Sequence, residues 1–105
     1  MEKVVVTGMS MITSLGLDLE TNWSNLAAGK SGVKKITLFD ASSCQTQIAA
    51  EIPAEFDSMW PNYIKKRAAE QMTRITKACF VCAKEAVRQS SINFELADKD
   101  RCAVM

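Results

Sequence analysis

One hundred and five residues suffice for one small domain, or a piece of one, and not for two. Hydrophobic residues make up 48% and charged residues 24%, ordinary globular usage that excludes a disordered tail, a collagen-like rod and a disulfide-dense toxin. Thirteen basic residues against twelve acidic ones give a formal charge of +1, so no overall electrostatic drive toward nucleic acid or an anionic membrane exists, and the complete lack of histidine excludes histidine-based proton shuttling or metal binding by these residues.

Taken in chain order, Lys3-Val4-Val5-Val6-Thr7 is β-branched and apolar on both faces, which predicts a strand buried between two layers and ended by Gly8. A turn-rich connection through Ser14, Leu15 and Gly16 leads into a helix predicted from Asp18 to Ala28. Leu19, Trp23, Leu26 and Ala27 fall there at helical spacing, Asp18 caps the start and Gly29 suits the C′ position. Lys30-Ser31-Gly32 reads as a turn, residues 33–39 as a weakly specified extended stretch and residues 40–45 as a polar loop. Residues 47–52 are a candidate strand stopped by Pro53, and Phe56, Trp60 and Tyr63 cluster around Pro61 in a loop with short helical turns.

The longest periodic signal spans about Thr73 to Gln89. Met72, Ile75, Cys79, Cys82 and Ala86 recur at spacings of three and four and define the face expected to be buried, with Arg74, Lys77, Lys84 and Arg88 on the solvated side. Ser90 and Ser91 end the helix. After a polar connection from Asn93 to Asp100, Arg101-Cys102-Ala103-Val104-Met105 begins a further buried-strand pattern, so the chain is expected to stop inside a sheet. The fold class read from these elements is α/β, with mostly buried strands packed against amphipathic helices.

The longest uncharged stretch, Val4 to Leu17, is broken by polar residues and glycines, and Glu2 offsets Lys3, so neither a membrane span nor a secretory leader is expected. A cytoplasmic setting with free thiols at Cys44, Cys79, Cys82 and Cys102 follows as the expectation. Cys79-Phe80-Val81-Cys82 has the form of a CxxC. However, it lies in the middle of a predicted helix, where no helix N-terminus lowers a thiol pKa, and further metal ligands are too few and irregularly spaced. Small core thiols are the expected role. Gly8-Met9-Ser10-Met11-Ile12-Thr13 follows a strand as a dinucleotide loop would, yet carries one glycine where that fingerprint needs three. Lys65-Lys66-Arg67 is too short a basic run to argue nucleic-acid binding but is a candidate docking patch for an acidic partner.

The run from Val4 to Gly16 (VVVTGMSMITSLG) resembles the opening of β-ketoacyl-acyl-carrier-protein synthases, members of the thiolase-like superfamily. Trp23, Leu26 and the stretch Ala28-Gly29-Lys30-Ser31-Gly32-Val33 are similar to that family's first helix and glycine-ended exit. Phe39-Asp40, Ile48 to Ile52, Phe56-Asp57, the long helix and the terminal residues 101–105 then match in order. Specificity comes from the ordered sum rather than from one motif. There are two departures: Ser10 stands where the family usually has glycine, and Glu70-Gln71 replace a basic pair before Met72.

The resemblance implies the first quarter of a thiolase-like fold of two similar α/β halves, acting in a homodimer. It implies a decarboxylative Claisen condensation in fatty-acid or polyketide synthesis, performed by a cysteine and two histidines that lie downstream of these residues. Residues 1–105 are therefore expected to be inactive alone, with no catalytic, cofactor-binding or metal-binding residue among them and no cofactor. The implied partners are acyl carrier protein and the remainder of the synthase chain, with Lys65, Lys66 and Arg67 as the carrier-docking residues. The competing expectation is a free-standing, non-catalytic module that binds a carrier protein or a synthase partner.

Overall fold

The computed structural model describes residues 3–104. Its first regular element, α1 (Leu19–Ala27), starts where Asp18 accepts hydrogen bonds from the Thr21 amide and hydroxyl, both at 2.8 Å. These bonds, the backbone one leading, hold the Asp18 carboxyl below its ordinary pKa of 3.8. The helix stops before Gly29, whose φ of +67° lies in the left-handed region that glycine enters without a Cβ penalty. The inward residue of α1 is not one of its apolar side chains but Asn22, 3% exposed. Its amide donates to the carbonyls of Met11, Gly16 and Asp18, and its Oδ1 accepts from the Thr13 hydroxyl. Asn25 adds a bond to the Leu15 carbonyl at 2.7 Å. The two asparagines satisfy loop carbonyls that burial would otherwise strand, leaving Trp23 and Leu26 largely exposed.

The two predicted extended stretches meet as a minimal antiparallel ladder, β1 (Lys34–Lys35) with β2 (Ile48–Ala49), in register Lys34 to Ala49 and Lys35 to Ile48. The Glu51 carboxylate extends it by accepting from the Thr37 amide, the Thr37 hydroxyl and the Leu38 amide. After Pro53 come α2 (Phe56–Met59), a 3₁₀ turn at Trp60–Asn62, α3 (Lys66–Ala69) and α4 (Arg74–Ser90). The core forms where these elements converge: Phe56, Ile64, Ala69, Ala78 and Val81 are buried, ringed by Ile12, Leu17, Ile52, Met59, Trp60, Tyr63 and Met72. Thr73 caps α4 through its hydroxyl. Ser91 closes it at φ 54°, an uncommon left-handed conformation for a residue with a side chain. A final 3₁₀ turn spans Lys99–Arg101.

Three expectations need correction. The buried strand at Lys3 to Thr7 is not formed: Val4, Val5 and Val6 are 96%, 71% and 78% exposed, because no strand lies beside them among the described residues. The same holds for residues 101–104, where the 3₁₀ turn ends at Arg101 and Val104 is fully exposed; Met105 lies outside the described residues. The architecture is therefore helical with one short, exposed ladder, not a set of buried strands. Third, the buried face of α4 is turned roughly a quarter-turn, at 3.6 residues per turn, from the expected stripe. Ala78 and Val81 point inward, Cys79 and Ile75 outward, and Cys79 is no core thiol. Arg74, expected in solvent, instead reaches Asp57 at 3.3 Å and the Pro53 carbonyl at 3.1 Å beside the Phe56 ring.

Gly8 shows how the N-terminal segment is nevertheless held. A Cβ there would fall 2.0 Å from the Ala86 carbonyl oxygen, so the backbone rests directly on the last turns of α4, and the Met9 amide donates to Gln89 at 2.7 Å. The Cα radius of gyration is 17.1 Å, where a closed domain of this length has about 13 Å. The accessible surface is 8832 Å², against about 5,800 Å² for a self-contained chain of this mass.

Candidate functional site

The candidate docking residues sit at the start of α3, which follows the 3₁₀ turn at Trp60–Asn62 and precedes α4 in the chain. Lys65 precedes α3 in an extended conformation, its side chain making no cap bond, and Lys66 and Arg67 form the first half of that helix. The single buried residue of α3 is Ala69, so packing holds the helix from below and leaves all three cations exposed. The ion pairs among the described residues join Arg74 to Asp57 and Arg88 to Glu85; none involves the trio. Glu70, at the end of α3, is exposed beside them and reduces the local positive charge.

Two further lysines, which sequence reading assigned only to a solvated face, are fixed in this region by aromatic neighbours. The Lys77 ammonium lies 4.2 Å from the centre of the Trp60 ring. That of Lys84 donates to the Tyr63 carbonyl at 2.9 Å and sits 5.1 Å from the Phe80 ring. The i, i+4 spacing of Phe80 and Lys84 was the available signal. Glu85 binds Arg88 through bonds of 2.6 to 3.2 Å and is thereby held below the ordinary glutamate pKa. The same carboxylate, as hydrogen-bond acceptor, is the leading reason that the Tyr63 hydroxyl is raised above its usual 10.0.

Cys79 and Cys82 lie in the middle of α4, and all four cysteines are free thiols. No cluster of three or more potential metal ligands occurs among the described residues, and no described helix is long and apolar enough to cross a membrane. In the stretch from Gly8 to Thr13, the Thr13 side chain is bound to Asn22, and Thr13 bridges to Gly16 through paired backbone bonds. The polar groups there serve the turn.

The family model described as beta-ketoacyl synthase, N-terminal domain, matches residues 1–105. The chain belongs to that family. This synthase segment is 32% identical over 103 residues to 3-oxoacyl-[acyl-carrier-protein] synthase 2 of Staphylococcus aureus strain COL, covering 98% of the chain and 24% of that relative. The corresponding protein of strain MRSA252 is 32% identical over 102 residues. That of Coxiella burnetii is 56% identical over 55 residues, covering 52% of the segment and 13% of the relative. The segment thus spans about a quarter of the length of the Staphylococcus relatives.

Proposed function

We propose that residues 1–105 are the amino-terminal portion of a 3-oxoacyl-[acyl-carrier-protein] synthase. The whole-length family match carries this reading, and the names of the Staphylococcus and Coxiella relatives support it. The parent's reaction is a decarboxylative Claisen condensation: an acyl group held as a thioester on the enzyme's cysteine is attacked by the carbanion formed when malonyl-carrier protein loses carbon dioxide. The new carbon–carbon bond yields a 3-oxoacyl thioester on the carrier and frees the enzyme thiol. The cysteine and the two histidines that assist belong to the parent beyond this segment.

Within that enzyme, Val4 to Val6 and residues 102–104 pair as sheet strands with neighbours from the rest of the fold, two such subunits form the dimer, and Lys65, Lys66 and Arg67 receive the acidic carrier protein. The surface excess of roughly 3,000 Å² over the self-contained expectation has the scale of an obligate interface, which fits a segment completed by further chain.

The test is a condensation assay on the full-length protein with acyl- and malonyl-carrier protein. Release of carbon dioxide together with 3-oxoacyl-carrier is expected; a full-length protein that binds carrier but condenses nothing overturns the enzymatic reading. Reversing the three charges together (K65E/K66E/R67E) is expected to raise the KM for carrier substrates about tenfold at low salt, with the difference shrinking as salt screens it. An unchanged KM at low salt removes the docking assignment.

A further inference from the structure

We draw no further inference here: the strongest candidate, the cleft between the β1–β2 ladder and the start of α4 with the unpaired Arg74 Nε beside it, sets Lys34, Lys35 and Arg74 against Glu51, Glu55 and Asp57 and so selects no ligand charge, and nothing in the structure shows what covers it in a chain spanning about a quarter of its relatives.

Discussion

At the scale of single residues, polar side chains rather than apolar ones fix the loop before α1. Asn22 bonds three carbonyls and one hydroxyl from a buried position, so Asn22→Ala leaves buried acceptors unpaired and is expected to cost about 1–3 kcal/mol. Asn22→Asp, which turns a negative charge toward those carbonyls, is expected to cost more. Urea unfolding of the full-length protein measures both, and a loss under half a kilocalorie for each would contradict the described network.

Glu51 supplies a pH-dependent counterpart. Its hydrogen bonds from Thr37, the side-chain one leading, hold its carboxyl below the ordinary value of 4.5. A depressed folded pKa means that the carboxylate contributes stability above the unfolded value and loses it as pH falls through the folded one. The Thr37 and Leu38 amides are therefore expected to exchange faster with solvent as pH falls below 4.5, relative to their intrinsic rates, and Glu51→Gln is expected to remove that dependence. Amide exchange followed by NMR reads both.

At the scale of elements, the two long helices and the paired stretches at Lys34–Lys35 and Ile48–Ala49 were legible in the sequence, whereas the expected buried strands at Lys3 to Thr7 and from Arg101 onward are not formed among the described residues. The cap at Asp18 and the break at Gly29 are local chemistry, and each appears where residue type alone places it. The Val4 to Val6 pattern records a demand for neighbours on both faces, which local sequence states but cannot meet. The orientation of α4 failed for a related reason. Its sequence carries apolar residues on more than one stripe, and periodicity does not tell which stripe meets Phe56 and Ile64 and which awaits another partner. The exposed basic run Lys65-Lys66-Arg67 was legible from residue type, whereas the bond from the Lys84 ammonium to the Tyr63 carbonyl depends on the chain returning to α4 across 21 positions.

Gly8 makes the contact between the N-terminal segment and α4 testable. Gly8→Ala places a methyl group inside contact distance of the Ala86 carbonyl, and relieving that overlap is expected to cost about 1–3 kcal/mol. Loss of protection at the Met9 amide in hydrogen exchange would locate the damage; unaltered stability would mean that the segment moves off α4 at little cost.

At the scale of the whole molecule, the 17.1 Å radius and the 8832 Å² surface describe a chain whose apolar groups outnumber the places it has to hide them. Expressed alone, residues 1–105 are expected to bind a hydrophobic dye and to self-associate through the exposed valine edge. A monodisperse monomer with one steep, high-temperature melt would contradict that expectation.

The open valine edge also bears on how such a protein is made. The 103 matched residues are 24% of the Staphylococcus relative, which is thus about 430 residues long, and ribosomes add roughly 5–20 residues per second. For a parent of that length, the first 105 residues wait on the order of 16–65 s for the last of their covering. During synthesis the edge at Val4 to Val6 is then a natural ligand for ribosome-associated chaperones, and their depletion should lower the yield of folded synthase more than substitutions in the small closed core around Phe56.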